Sequence, residues 1–387
     1  MSDLCPLTDD LITEILIRLP VRSQLRSAAV CKLWYEIIKS SYFTNSHFRH
    51  ESNENRLLVY RCHFMPTKKP ANHDDNTFAI FQDDSLNSYD TPGQCHVPHV
   101  VWSLTGPCKG VFCVRSVNSQ VALWNIATRR IRPLPDTNPR FFQRIEVGFG
   151  ADPVTDEFKV VLIHCHDPYD LPMFAVYTSR ADSWRCFRDE TALGRDDGIR
   201  QARHGSTFLK GSYYWYKSNL YTGKRAVLAM DMHSEDFEEI EVPESVRMGV
   251  IDLHLWNDEY LGLSSCSNGD EEDSFVEIWV MKEKGVWTKM SSLSLDSRLQ
   301  NVLGFWKGSG FFASLGWELV LCDMDSHAAI RNLEIPKKGG GYDLLWPFSY
   351  KESLFSVSEG YDGFEDYDIQ SAESHSFFVK KPRYLYE

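Results

Sequence analysis

"PCKGVFCV", residues 107–114, sets apolar segments on either side of Lys109-Gly110. A two-residue reversal between β-strands needs positive φ at its centre, which glycine tolerates, so the octet reads as a tight hairpin. The same arrangement returns in "FLKGSYYW" (208–215), turning at Lys210-Gly211, and in "FWKGSGFF" (305–312), turning at Lys307-Gly308. "DPVTDEFKVV" around Asp156, "LWNDEYLG" around Asp258 and "PFSYKESLF" around Lys351 are variants of it. Neighbouring members of this series lie roughly fifty residues apart, a spacing that belongs to repeat architectures.

A second series of hairpins falls between them. "LWNIATRRI" ends its turn at Ile131, "VYTSRADSW" at Trp184, "AMDMHSEDF" at Phe237, "IWVMKEKGVW" at Trp287 and "LCDMDSHAAI" at Ile330. Two interleaved hairpins per repeat make a four-stranded unit, as expected of kelch-like propeller blades. The first series has one member more than the second. "RLLVYRC" (56–62) and "TFAIFQ" (77–82) supply the missing hairpin near the start of the region. The final hairpin, 342–357, then shares a blade with those early strands and closes the ring, which removes exposed sheet edges. The reading is an all-β domain over residues 49–387, a six-bladed β-propeller. Seven or eight short blades, or an open β-sandwich, are the alternatives.

Residues 1–48 are different. A helix over 10–19 gathers Leu11, Ile12, Ile15, Leu16 and Leu19 within an arc of roughly 140°, leaving Ile17 on the polar side. Thr8 suits the N-cap, Asp9 and Asp10 suit the positive end of the helix dipole, and Pro20 stops the helix. Ser23 is placed to cap a second helix carrying Leu25, Ala28 and Ala29. A third runs from about Cys31 to Lys39 with Trp34, Ile37 and Ile38 on one side. Three short helices make a marginal core, so the unit is expected to leave apolar surface for a partner.

"LTDDLITEILIRLPVRSQLRSAAVCKLW", from Leu7, resembles the F-box family, with Leu19-Pro20-Val21-Arg22-Ser23 and Val30-Cys31-Lys32-x-Trp34 as its specific features. Thr8 stands where the family usually has Pro, and Gln24 interrupts the usual Ser-Leu. The resemblance implies a small all-α, three-helix F-box that binds a Skp-family adaptor and, through it, a cullin. Leu7, Leu11, Ile12, Ile15, Leu16, Leu19, Pro20, Leu25, Val30, Cys31 and Trp34 hold matching positions, some in the bundle core and others facing the adaptor. Burial of about six apolar side chains at ~1.5–3 kcal/mol each gives a gross ~9–18 kcal/mol. Association consumes roughly 4–15 kcal/mol, so a specific complex is within reach.

"GPCKGVFCV", "LWNIATRRIRPLP", "GFGADPVTDEFKVV" and "IWVMKEKGVWTKM" look like the F-box-associated domain of plant F-box proteins. The usual Trp-Asn-Pro-x-Thr-Arg has Ile126 at its Pro position here. The chain is also similar to the S-locus subgroup, whose members recognise basic ribonucleases in pollen tubes. These resemblances imply a substrate-recognition subunit of a Skp–cullin–F-box ubiquitin ligase, recruiting a protein for ubiquitination and degradation. A non-degradative interaction adaptor and an enzyme built on a propeller are the rivals.

Formal net charge is −13. The first fifty residues carry six basic and five acidic side chains, so the acidity belongs to the β-domain. A negative field disfavours nucleic acid and favours a basic partner. "DMHSEDFEEIEVPE" (231–244), "NGDEEDSFVE" (268–277) and "EGYDGFEDYD" (359–368) concentrate it. Asp270, Glu271, Glu272 and Asp273 are the candidate substrate-binding residues, an acidic tip that speeds encounter with a basic target.

No apolar run reaches membrane-spanning length, and the acidic N-terminus lacks a basic signal region. The ten cysteines are scattered, as in reduced proteins of the cytosol or nucleus. His164 and His166 share a strand face but have no third ligand at a recognisable spacing, so no metal is expected. Cys108 and Cys113, across a tight turn, read as core residues. Gly339–Gly341 lacks the Gly-Lys-Ser/Thr of a phosphate loop. Neither a nucleophile elbow nor a zinc-protease motif is present, so no catalytic residue or cofactor is expected.

Overall fold

The computed structural model describes residues 7–50, 53–64, 77–81, 85–90, 101–116, 119–137, 145–164, 171–194, 196–200, 207–219, 221–246, 249–267, 274–295, 299–308, 310–316, 318–326, 328–335 and 342–357. Their strands form six antiparallel sheets arranged as a six-bladed propeller. Five blades are continuous in sequence: 101–133, 145–187, 197–241, 250–295 and 299–333. The sixth takes its innermost strand, Tyr342–Tyr350, from late in the chain and its other strands, Arg56–Phe64, Thr77–Phe81 and Tyr89–Asp90, from early in it.

Six apolar cores lie one at each blade junction, and period-two alternation explains them. Val111 and Cys113 enter the core shared with the second blade, while Phe112 and Val114 enter the core shared with the sixth. Val160 and Leu162 face the first blade, while Val161 and Ile163 face the third. Middle strands are therefore apolar on both sides and read as near-continuous hydrophobic runs. Outer strands such as Ser183–Phe187 and Ala329–Leu333 are short and mostly exposed or half-buried, which blunts the sheet edges. Close blade contact also dictates Gly148: a Cβ there would lie 2.3 Å from Cζ2 of the buried Trp215.

The tight turns follow the expected chemistry. Lys109 and Gly110 have φ of 50° and 73°, and Lys210-Gly211 and Lys307-Gly308 repeat the pattern. One member of the series departs from expectation. Among the described residues the strand Tyr342–Tyr350 is not followed by a hairpin partner, and Arg56–Phe64 pairs along its whole length instead. Residues 351–357 leave the sheet as an irregular segment, hereafter the strap. Likewise the early strands 56–64 and 77–81 occupy the second and third positions of their blade, and Tyr89–Asp90 adds the fourth.

Among its described residues the head contains four helices, not three: α1 (Asp9–Leu16), α2 (Val21–Ser27), α3 (Lys32–Lys39) and α4 (Ser41–Arg49). Ser40 makes the difference. It ends α3 in an extended conformation, and its hydroxyl accepts from the Phe43 amide at 3.1 Å, capping a new helix. Helix α1 stops three residues before Leu19. The chain tightens there, with Leu19 N–H donating to Leu16 O at 3.1 Å, and Gln24 Nε2 donates to the same carbonyl at 2.9 Å. That tightening rolls Ile17 into the core rather than onto the polar side. Ser23 lies inside α2 instead of capping it. Pro20 holds the N-terminal position, and its carbonyl accepts from the Ser23 and Gln24 amides. Among the described residues no helix is long and apolar enough to cross a membrane.

Candidate protein-docking surface

Helix α1 is apolar on two faces. Thr8 caps it as expected, accepting from the Leu11 amide at 3.4 Å. Ile12 and Leu16, four residues apart, pack inward with Ile17, Ala28, Ile38 and Phe43. Leu11 and Ile15, offset by one residue, point outward and are each 52% exposed. Leu7, just before the Thr8 cap and outside the helix, is 56% exposed. Side chains at i and i+4 fall on one helix face, so Leu11 and Ile15 make an outward apolar stripe on α1. Val30, 66% exposed in the turn before α3, adds to the head's apolar surface.

The family-matching positions thus divide by burial. Ile12 and Leu16 are core residues. Leu19, Leu25 and Trp34 are half-buried, with Leu19 and Trp34 packed against the head core. Leu7, Leu11, Ile15, Pro20, Val30 and Cys31 are exposed. Leu33 and Tyr42 are also exposed, and sequence reading did not single them out. Tyr42 belongs to the fourth helix, whose cap at Ser40 was the available signal. Leu33 sits beside Trp34 and is hidden by it in a linear reading.

The strap fastens this head to the propeller. Leu354 packs against the head core, while Val357 and Phe355 belong to the core between the first two blades. Asn53 Nδ2 donates to Glu352 O at 2.8 Å, and Arg56 pairs with the Glu352 carboxylate at 3.2 Å. The Phe48 and Phe355 rings meet edge-on at 5.7 Å, and the Lys351 ammonium lies 5.5 Å from the Phe48 ring centre. His47, buried in α4, is held neutral: burial lowers its pKa to about 4. Gly110 completes the seat, because a Cβ there would lie 2.6 Å from Lys351 O.

Antiparallel order within each blade puts the turns after the first and third strands on one face of the ring. The strap contacts Gly110 and Asn125, which belong to such turns in the first blade, so the head sits on that face. Asp270, Glu271, Glu272 and Asp273 lie outside the described residues. The strands that flank them, Tyr260–Ser267 and Ser274–Glu283, end and begin at the opposite face. The acidic stretch 231–244 lies within the third blade, and much of its charge is matched internally. Glu235 pairs with Lys159 at 2.8 Å and with Arg185, Glu239 pairs with Lys217 and Lys224 at 2.7 Å, and Glu238 pairs with Lys284. These partners hold the Glu235 and Glu239 carboxylates below their usual pKa range, against the opposing effect of burial. The stretch 359–368 lies outside the described residues.

Cys108 and Cys113 are buried in the core between the first two blades, and burial pushes the Cys108 thiol up to about 12. Both are packing residues. His164 ends the strand Phe158–His164, and residues 165–167 lie outside the described part, as do Gly339–Gly341.

Comparison with known proteins matches the same two units. Residues 4–46 match the F-box domain, and residues 61–316 match the F-box associated beta propeller domain. A putative F-box protein of Arabidopsis thaliana is 28% identical across 72% of this chain and 70% of its own length. A second putative F-box protein of that plant is also 28% identical, covering 75% of both chains. An F-box/kelch-repeat protein from the same species is 26% identical across 76% of this chain and 68% of its own.

Proposed function

Because the chain belongs to the F-box-associated β-propeller family, we propose that it is the target-recognition subunit of a Skp–cullin–F-box ubiquitin ligase. F-box proteins generally serve in that role: the F-box implies an adaptor of the Skp type and, through it, a cullin, and they are typically non-catalytic. The observation that carries the reading is the outward stripe Leu11 and Ile15, with exposed Leu7 just ahead of the helix, on a head whose own core is already filled by Ile12, Leu16, Ile38 and Phe43. The adaptor covers the stripe. The propeller holds a target protein, and transfer is accelerated because an encounter between two proteins becomes effectively intramolecular.

The target occupies the propeller face away from the head, where the flanks of Asp270–Asp273 emerge. Net charge of −13 favours a basic target, the chemistry that the S-locus resemblance implies. Among the described residues Cys31, Cys108, Cys113, Cys186, Cys266 and Cys322 form no disulfide, which suits work in the cytosol or nucleus. Affinity purification tests the reading. The full chain should recover a Skp-family adaptor together with a cullin, and a chain lacking residues 1–48 should lose both yet retain and accumulate its targets. Recovery of the adaptor without a cullin would favour a non-degradative adaptor role.

A further inference from the structure

Trp124-Asn125 opens the turn after the third strand of the first blade. Trp124 fills the junction with the sixth blade, but Asn125 has no apolar task. It is fully buried, and all the hydrogen-bonding groups of its side chain are used. Nδ2 donates to Ser353 O at 3.0 Å and to Phe355 O at 2.9 Å, while Oδ1 accepts from the Thr128 amide at 3.2 Å. The two gripped carbonyls bracket Leu354, the strap residue that packs against the head core. One amide group therefore fixes the rotation of the strap on both sides of the residue that meets the head.

We infer that Asn125 is a positioning residue: it clamps the strap so that the adaptor-binding head is held at a fixed angle to the target-binding propeller. Its two donors are the part that matters. Asn125→Asp keeps the size of the side chain and the oxygen that accepts from Thr128, but sets a carboxylate against two carbonyl oxygens. Buried acceptors left without donors are costly, so the strap detaches. The target's position relative to the cullin then spreads over a larger volume, and effective concentration falls.

The test measures distances in the full chain. Spin labels introduced by amber suppression at Tyr42 and Tyr221, both strongly exposed, report head against propeller. The wild-type chain should give one narrow distance distribution. Asn125→Asp should broaden it severalfold, with the thermal transition of the propeller retained and adaptor affinity within about twofold of wild type. An unchanged narrow distribution would overturn the inference. If Asn125→Asp loses the propeller transition, Leu354→Ser decides, since it spares Asn125 and cuts only the contact with the head. Broadening in that variant supports the clamp, and a narrow distribution overturns it. The consequence for ubiquitin transfer rests on the proposed ligase role: the reconstituted ligase should lose ~3–10-fold in transfer rate with Asn125→Asp at unchanged target affinity. Broadened distances in the variant, with no transfer even by the wild-type chain, would sink the ligase role and leave the clamp standing.

Discussion

Helix Asp9–Leu16 leaves Leu11 and Ile15 half in water, while the strand Phe158–His164, of similar length, buries six of its seven residues. Both segments are apolar on two faces. The strand stands between two blades of its own chain, so each face meets a partner. The helix stands in a four-helix head that offers one core, so its second face has none. Apolarity on two faces therefore has opposite meanings in the two regions. In the ring it reports complete burial within the chain, and in the head it reports a surface to be covered by another molecule.

The largest effect that could break this contrast comes from charging the stripe. Leu11→Asp combined with Ile15→Asp should remove about 3–6 kcal/mol of adaptor binding, two or more orders of magnitude in Kd by calorimetry. The melting curve of the isolated chain should not change, because neither side chain supports the core. The mirror experiment lies in the ring. Leu162→Ala should cost about 2–5 kcal/mol of propeller stability in denaturant titration and leave adaptor affinity unchanged. A smaller loss, about 1–3 kcal/mol, is expected from Gly148→Ala, whose new methyl group meets Trp215.

The mildest test is pH, and it acts on both regions with the same sign. His47 in the head and His254 in the ring are buried, and burial lowers their pKa values to about 4 and about 3. The unfolded chain binds these protons from about pH 6.5 downward, before the folded chain does. Their stabilising contribution is thus complete above that pH and is lost as pH falls toward 4 and 3. Thermal melts at pH 7.5, 6 and 5 should show a shallow decline. The ion-paired carboxylates Glu235 and Glu239 add to it only below about pH 4.5.

Features set by local chemistry were legible in the sequence. Lys109-Gly110 and its repeats announce the hairpins, because positive φ is a demand on two adjacent residues. Ring closure followed from counting them. Features that depend on distant residues were not legible. Asn125 grips carbonyls 228 and 230 positions away, and nothing near it foretells the strap. Gln24 looked like an interruption of a pattern, yet it is buried and donates to Leu16 O. The family positions of α1 were legible as a set, but separating Ile12 from Leu11 required knowing where Ile38 and Phe43 pack. The acidic stretch 231–244 read as a free surface until the lysines of neighbouring strands were placed beside it.

Hydrogen exchange of the full chain, with and without a purified Skp-family adaptor, probes the central contrast most directly. Amides of residues 7–34 should gain protection on binding while the six blades exchange at their original rates. Protection that appears in the blades instead, or a head that already exchanges as slowly as the blade cores without any adaptor, would contradict the account.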